Sequence, residues 1–239
     1  MPSSPKIGNR ICNVRIIEIL GILESHHHSK TFCHIGMHNE SVHRGDWTKS
    51  DVFCYWLCPI TELTGKTIGI VGYGNIGRRM TEIASAFHMN ILVNTAHPEK
   101  YMKDNNDSCT FVDIETLFAK ADVISLHCPL TNDTSKMINK HNIDKMKDGV
   151  VIINVSRGGL VVESDLAYAL KCGKVSAAAC DVVTEEPMIP DNPLLTAPNM
   201  TITPHMGWAS IEARTRLVDT VAANLRAFLE DRRENVVNP

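Results

Sequence analysis

The sequence of 239 residues is poor in aromatic side chains, which make up 5% of it, and it has no large excess of charge of either sign. A formal net charge of −3 and an isoelectric point near 6.4 leave no basic stripe for nucleic acid or an anionic membrane. The longest apolar stretch near the start, residues 16–23, contains Glu18 and is shorter than the roughly 20 residues of a spanning helix. We therefore expect a cytoplasmic protein that acts on a small molecule, with neither nucleic acid nor membrane as a partner.

Cysteine and histidine, the residues that most often hold metals or staple small domains, show no useful spacing. The eight cysteines include no Cys-x-x-Cys pair, so no disulfide framework is expected. Histidines are dense near the start, at His26, His27, His28, His34 and His38. Consecutive side chains point in different directions rather than converging on an ion. We expect no metal site and interpret these histidines as a polar helix face.

From residue 67 onward, short apolar segments rich in β-branched residues alternate with segments of helical periodicity. Strands are predicted at residues 67–71, 91–95, 123–127, 150–155, 177–183 and 200–203, and helices or helical turns at 76–87, 114–119, 142–146 and 163–172. A long amphipathic helix is predicted at 211–230, with Leu217, Val221, Leu225 and Phe228 on one apolar stripe. This alternation is typical of an α/β fold with a doubly wound parallel sheet covered by helices on both faces.

A glycine-rich loop follows the first of these strands and opens the first helix. It reads Gly72-x-Gly74-x-x-Gly77. Gly72 allows a tight turn, Gly74 lets the backbone approach a pyrophosphate, and Gly77 lets the helix and strand pack closely. The pattern alone is a weak signal, but here the strand before it and the helix after it agree, so we predict dinucleotide binding rather than a purely structural turn.

The end of the second predicted strand bears on the choice of cofactor. An acidic residue usually holds the adenosine ribose at this point, but this strand ends in Thr95. The repulsion that excludes a 2′-phosphate is therefore absent, and so is a dedicated arginine. NAD and NADP both remain open, with NAD slightly favoured. His97 and Lys100, which follow, are interpreted equally well as ordinary loop residues.

Three motifs with polar residues follow apolar segments near the ends of the later predicted strands. They are NVSRGG at 154–159, DVVTEEP at 181–187 and TPHMGW at 203–208. They supply an arginine, an acid and a histidine. Hydride transfer to a carbonyl needs a cation to polarise it, a proton donor for the oxygen, and a carboxylate to orient that donor. Taken singly, Arg157 could cap a turn, Glu186 could be a solvated charge, and His205 could be an ordinary loop histidine.

Together these motifs resemble the D-isomer-specific 2-hydroxyacid dehydrogenase family over about residues 39–239. The resemblance rests on ELTGKTIGIVGYGNIG at 62–77, ADVISLHCPLT at 121–131, and the three polar motifs. Within the family, GDW at 45–47, FCYW at 53–56 and TPHMGW at 203–208 look most like the glycerate dehydrogenase or hydroxypyruvate reductase branch. The resemblance implies an NAD(P)-dependent oxidoreductase that reduces a small 2-keto acid such as hydroxypyruvate or glyoxylate.

The resemblance also implies catalytic roles, residue by residue. Arg157 would bind the carboxylate and carbonyl oxygens of the substrate, and His205 would be the general acid/base. Glu186 would pair with His205. Glu185 is the obvious rival, but the family spacing of Asp followed five residues later by Glu-Pro selects Glu186.

Cofactor contacts are implied in the same way. The pyrophosphate would meet Gly72, Gly74, Asn75, Ile76 and Gly77, and Thr95 would lie at the adenosine ribose. The remaining expected contacts are Cys128, Pro129, Val155, Ser156, Arg157, Asp181 and His205, with Asp181 at the nicotinamide end. Cys128 is interpreted as a small packing residue rather than a nucleophile.

The domain organisation expected from this resemblance has three parts. Residues 1–60 would be an N-terminal remnant of a substrate domain together with a helical segment near a dimer interface. Residues 61–209 would form an NAD(P)-binding Rossmann domain, and residues 210–239 the C-terminal helix. A homodimer is expected. Because the remnant is too short to carry the substrate loops of the family, an alternative is a catalytically impaired dinucleotide-binding remnant or sensor.

Overall fold

The computed structural model describes residues 34–101 and 109–235. His26, His27 and His28, together with the rest of residues 1–33, lie outside the described residues, as do 102–108 and 236–239. The described part contains a seven-stranded sheet with α-helices on both faces. This confirms the predicted fold class, a doubly wound parallel sheet of the Rossmann type.

The strands of the sheet are β1 (Thr67–Val71), β2 (Asn90–Asn94), β3 (Thr110–Phe111), β4 (Val123–Leu126), β5 (Val150–Asn154), β6 (Val175–Cys180) and β7 (Met200–Ile202). All neighbouring strands pair in parallel, in the order β3-β2-β1-β4-β5-β6-β7. The chain moves outward from β1 in one direction and then returns to its other side with β4, so the strand order reverses at β1. A reversal of this kind opens a crevice at the carboxyl ends of the strands, which is where such folds bind ligands.

Six α-helices accompany the sheet in the described ranges. They are α1 (Ile35–His43), α2 (Asn75–Ala86), α3 (Ile114–Lys120), α4 (Lys140–Lys145), α5 (Glu163–Lys171) and α6 (Ile211–Leu229). Successive side chains of the central strands point to opposite faces of the sheet, as the two hydrophobic clusters show. One cluster joins Ile152 to Leu117 and Leu166 of α3 and α5, and the other joins Ile153 to Met80 of α2. Both faces of the sheet are therefore buried under helices.

Several predicted boundaries are corrected by the structure. β2 begins at Asn90 and ends one residue before Thr95, and β6 ends at Cys180, so the predicted strand at 177–183 started too late and ran too long. β3 is a two-residue edge strand, too short for its alternation to show in the sequence. α4 begins two residues earlier than predicted because the Asn139 side chain accepts a hydrogen bond from the N–H of Asn142 and caps the helix there.

The predicted C-terminal helix is present as α6, but its apolar stripe is largely exposed. Val221, Leu225 and Phe228 are 46%, 53% and 53% exposed, whereas the buried positions include the small residues Ala213 and Ala227. Helical periodicity identifies which side of a helix is apolar, but it does not tell whether the same chain covers that side.

The segment between α1 and β1 is held by polar contacts. The Ser41 hydroxyl donates to Asp46 at 2.6 Å and lies 2.8 Å from the Tyr55 hydroxyl, and the N–H of Leu57 donates to Nε2 of His38 at 3.1 Å. Large apolar side chains in this segment are exposed rather than packed in the core; Phe53, for example, is 88% exposed. Within residues 34–101 and 109–235, no helix has both the length and the apolar character needed to cross a membrane.

Candidate active site

The three glycines of the loop between β1 and α2 occupy three different environments. Gly72 has φ +98°, and a Cβ there would lie 2.6 Å from the backbone nitrogen of Cys128. A Cβ on Gly77 would lie 2.1 Å from the carbonyl oxygen of Gly72, so this position requires glycine for close packing of helix on strand. Gly74 precedes the first turn of α2, and a Cβ there would meet nothing within 4 Å. The loop therefore leaves an open cradle in front of the helix N-terminus.

The other residues predicted to surround a dinucleotide lie along the same edge of the sheet. Asn75 and Ile76 begin α2, and the Asn75 side chain accepts a hydrogen bond from the Arg78 guanidinium at 2.7 Å. Arg78, one residue beyond the glycine pattern, was not singled out from the sequence. Thr95, half-buried just after β2, lines an open cavity of about 500 Å³ together with Pro98.

Several hydrogen bonds join the loops after β4 and β5, including one between two predicted cofactor positions. The Ser156 hydroxyl donates to the carbonyl oxygen of Cys128 at 2.6 Å, which brings two predicted cofactor positions together. Val155 is buried beside them and Pro129 is exposed. Burial raises the pKa of the Cys128 thiol to about 11, so the thiol is a packing group at neutral pH.

Arg157 is presented by a turn that Asn154 shapes. The buried Asn154 side chain donates to the carbonyl oxygen of Arg157 at 2.9 Å and accepts from the N–H of Ser156 at 3.1 Å. The Arg157 guanidinium is exposed, and its Nη1 donates to the carbonyl oxygen of Ser156 at 2.7 Å. Asn154 lies in one of the three polar motifs, but its role in this turn was not predicted. The sequence does not indicate which backbone groups a buried side chain will bond.

Glu186 and His205 form a close pair. Nδ1 of His205 donates to Oε2 of Glu186 at 2.6 Å, and the other oxygen of Glu186 accepts the N–H of Val183 at 3.0 Å. Burial acts to raise the pKa of the Glu186 carboxyl, but the hydrogen bonds from His205 and Val183 and the charge of Arg157 outweigh it, so that pKa lies below its usual value. An ionised Glu186 can therefore orient the imidazole across the neutral pH range. The structure pairs His205 with Glu186, not with its rival Glu185.

His205 has a left-handed backbone, with φ 51°, that the buried residue Asp181 supports. The Asp181 side chain, in a residue only 1% exposed, accepts hydrogen bonds from the Thr203 hydroxyl and from the N–H groups of Met206 and Gly207, the latter two at 2.9 and 2.8 Å. The N–H of His205 itself donates to the carbonyl oxygen of Asp181 at 2.8 Å. Contact of Asp181 with a nicotinamide stays a prediction; in the structure its carboxylate fixes the turn that carries His205.

Arg157, Glu186 and His205 share one cleft of about 210 Å³. Its apolar wall includes Leu130 and Val183. A cation, a carboxylate and an imidazole thus face a small space beside the carboxyl ends of β5, β6 and β7. Such a set can bind an anion and exchange a proton with it. Fold and cleft together define an α/β protein of the dinucleotide-binding class.

Comparison with known proteins places this chain in a family. Residues 29–207 match the family model described as D-isomer specific 2-hydroxyacid dehydrogenase, NAD binding domain. The chain is 48% identical over 205 residues to a hydroxypyruvate reductase of Blautia hydrogenotrophica, covering 86% of this chain and 63% of that protein. It is 43% identical over 199 residues to a glycerate dehydrogenase of Methylorubrum extorquens, covering 82% and 60%.

Solved structures agree with the sequence comparison. The crystal structure of the TT0316 protein from Thermus thermophilus superposes with a TM-score of 0.81 at 32% identity, covering 94% of this chain and 68% of that one. The chain belongs to the D-isomer specific 2-hydroxyacid dehydrogenase family, as the sequence motifs predicted. It spans about three fifths of the length of the two relatives named above.

We expect the turn that carries His205 to depend on the buried Asp181 carboxylate. In Asp181→Asn, an NH2 group replaces one acceptor oxygen and faces backbone N–H donors, so the free energy of unfolding should fall by roughly 1–3 kcal/mol. Urea unfolding followed by circular dichroism measures this. Thr203→Val, which removes one of the three donors, serves as the milder control. An Asp181→Asn protein within about 0.5 kcal/mol of the parent would contradict this role of the carboxylate.

Proposed function

We propose that this chain is an NAD(P)-dependent D-2-hydroxyacid dehydrogenase that reduces a small 2-keto acid, such as hydroxypyruvate or glyoxylate. The observation that carries the proposal is the His205–Glu186 pair, which faces the same cleft as Arg157. The relatives named hydroxypyruvate reductase and glycerate dehydrogenase support the substrate class.

The glycine loop fits a dinucleotide. Gly74 leaves open space in front of the first turn of α2, where the backbone N–H groups of a helix N-terminus favour phosphate. We propose that Gly72, Gly74, Asn75, Ile76 and Gly77 hold the pyrophosphate there. The adenosine ribose would lie near Thr95, and the nicotinamide end near residues 155–157, 181 and 205, with Cys128 and Pro129 lining the cleft between them. NAD is favoured because the matched family model is that of an NAD binding domain, while the neutral Thr95 leaves NADP open.

When bound, a nicotinamide dinucleotide supplies the hydride for reduction of the substrate carbonyl. Arg157 holds the carboxylate of the acid and draws electron density toward the carbonyl oxygen, since its guanidinium offers several donors in one plane. His205 donates the proton that the carbonyl oxygen gains. Its Nδ1 is engaged by Glu186, so the proton leaves from Nε2 on the opposite side of the ring.

Glu186 has two duties in this mechanism. Its ionised carboxylate stabilises the protonated imidazole, and the hydrogen bond from Nδ1 fixes the direction in which Nε2 points. The Val183 N–H holds the second oxygen of Glu186, so the carboxylate is itself oriented. The cleft of about 210 Å³ lies below the roughly 300–1000 Å³ of pockets that take drug-sized ligands. A two- or three-carbon acid fits this size.

Activity tests the proposal directly. Addition of hydroxypyruvate or glyoxylate should oxidise NADH or NADPH, followed as a loss of absorbance at the dihydronicotinamide band. His205→Ala should lower kcat by about 10²- to 10⁴-fold, because the proton donor is gone. Tight cofactor binding without turnover of any small 2-keto acid would refute the dehydrogenase proposal. It would instead support the alternative, a dinucleotide-binding remnant or sensor.

The glycine cradle can be tested without turnover. A methyl group on Gly74 meets no protein atom and its φ of −76° suits alanine, so Gly74→Ala should fold normally. The same methyl group enters the space proposed for the pyrophosphate, and we expect the Kd for NADH to rise by at least about tenfold. Fluorescence titration measures it. Gly36→Ala in α1, whose Cβ also meets open space, is the matched control and should leave the Kd unchanged; equal Kd values for both variants would refute the cradle.

We also propose that the chain forms a homodimer through the segment between α1 and β1. Trp47, Phe53 and Trp56 are exposed there, and the Trp47 indole N–H donates a hydrogen bond to the carbonyl oxygen of Phe53 at 3.1 Å. Exposed aromatic residues at this density are typical of interfaces. Sedimentation equilibrium should give twice the chain mass of 26.5 kDa, and Phe53→Asp should shift the mass toward that of one chain. A monomer at all accessible concentrations would refute the dimer.

We propose a cytoplasmic location because the cysteine thiols of the described residues are free. All six cysteines within the described part of the chain are free, and burial raises the pKa of Cys180 to about 12. Reduced thiols of this kind are typical of proteins in the cytoplasm. A disulfide found by mass spectrometry in protein freshly isolated from its source would count against this location.

A further inference from the structure

Glu163, the first residue of α5, lies outside the catalytic set, yet its carboxylate contacts the loop that carries Glu186. Oε1 of Glu163 accepts the backbone N–H of Thr184 at 2.7 Å. Oε2 accepts the side-chain amide of Asn192, also at 2.7 Å. The two oxygens of one side chain therefore hold residues eight positions apart, on either side of Glu186.

The far end of this loop is anchored in the core. Asn192 is buried, and its side-chain oxygen accepts the N–H of Leu194 at 2.9 Å, which caps the short 3₁₀ helix Pro193–Thr196. Leu194 belongs to the hydrophobic cluster that also contains Leu166 of α5. The Asn192 end is thus fixed relative to α5, and Glu163 ties the Thr184 end to the same point.

The near end of the loop contacts both Glu186 and the turn that follows Arg157. Val183, next to Thr184, donates its N–H to Glu186. A Cβ on Gly158 would lie 1.9 Å from the carbonyl carbon of Val183 and 2.4 Å from the nitrogen of Thr184, so the turn after Arg157 packs directly against the same backbone. Thr184 therefore adjoins both the residue that bonds Glu186 and the turn that follows Arg157.

We infer that Glu163 is a positioning residue for the proposed reaction: its carboxylate clamps the 184–192 loop and so sets the place of Glu186 against His205. This inference rests on the proposed function for its kinetic consequence, but its geometric part does not depend on turnover. Both hydrogen bonds come from N–H donors. The clamp therefore needs a side chain that has two acceptor oxygens and the length of glutamate.

Glu163→Gln is the sharpest test, because it keeps the shape of the side chain and loses one acceptor. The primary measurement is the pKa of the Glu186 carboxyl, followed by ¹³C NMR of glutamate-labelled protein in the absence of substrate. The groups that face this carboxyl are His205 and Arg157. If Glu186 moves away from them, its pKa should rise toward the ordinary value. In the kinetic assay, kcat should fall by about tenfold with a smaller change in KM, since misplacing a catalytic group slows the step more than it weakens binding.

Asp165→Asn is the matched control. Asp165 lies in the same first turn of α5, and its carboxylate accepts the N–H of Lys140, away from the Glu186 loop. A role of Glu163 limited to the stability of α5 would be shared by Asp165, so both variants would then leave the Glu186 pKa unchanged. The clamp predicts a change for Glu163→Gln alone.

Glu163→Asp provides a second variant if the glutamine protein does not fold. It keeps the charge but is one methylene shorter, so it cannot reach both donors, and an intermediate rise in the Glu186 pKa is expected. An unchanged Glu186 pKa in every folded Glu163 variant would overturn the inference. Absence of turnover in the parent protein would refute the proposed function, while the NMR measurement would still decide on the clamp.

Discussion

A buried carboxylate, that of Asp181, supports the loop on which the candidate active site depends. Burying such a group is costly unless its oxygens are hydrogen-bonded, and here one hydroxyl and two backbone N–H groups supply the bonds. All three donors lie at residues 203–207, so satisfying the carboxylate also bends the chain into the turn that includes His205. The left-handed conformation of His205 is held by this network rather than by a glycine.

The parallel sheet brings the separate motifs to one edge. Because every neighbouring pair of strands is parallel, the loops that follow β1, β4, β5, β6 and β7 all emerge at the carboxyl ends. The glycine cradle lies at the reversal point beside β1, and the polar cleft lies beyond β5, joined to it through the Ser156–Cys128 hydrogen bond. We propose that the glycine cradle holds a dinucleotide beside this small charged cleft, which is the arrangement that hydride transfer to a bound acid would require.

Much of this arrangement could be predicted from the sequence because its signals are local. The glycine spacing, the alternation of strands and helices, and the polar motifs at strand ends each occupy a few consecutive residues. The edge strand β3 was missed because two residues carry no periodicity, and the strand β6 was misplaced because Val182 and Val183 continue an apolar run past its last hydrogen bond. The exposure of Phe228 was also not predictable, since burial depends on what lies opposite a helix.

Contacts that join distant segments were the main omission. The Glu163 carboxylate meets Thr184 and Asn192 more than 20 positions along the chain, and no spacing rule indicates such a contact. The pairing of Glu186 with His205, by contrast, followed from the resemblance, since the family motifs name both residues.

A crystal structure of the chain with NADH and oxamate, an unreactive analogue of a small 2-keto acid, tests the central claim most directly. The expected result has the oxamate carboxylate on the Arg157 guanidinium and its carbonyl oxygen about 2.6–3.2 Å from Nε2 of His205, with Nδ1 still bonded to Glu186. Oxamate bound away from this cleft, or a His205 ring turned away from Glu186 in the complex, would contradict it.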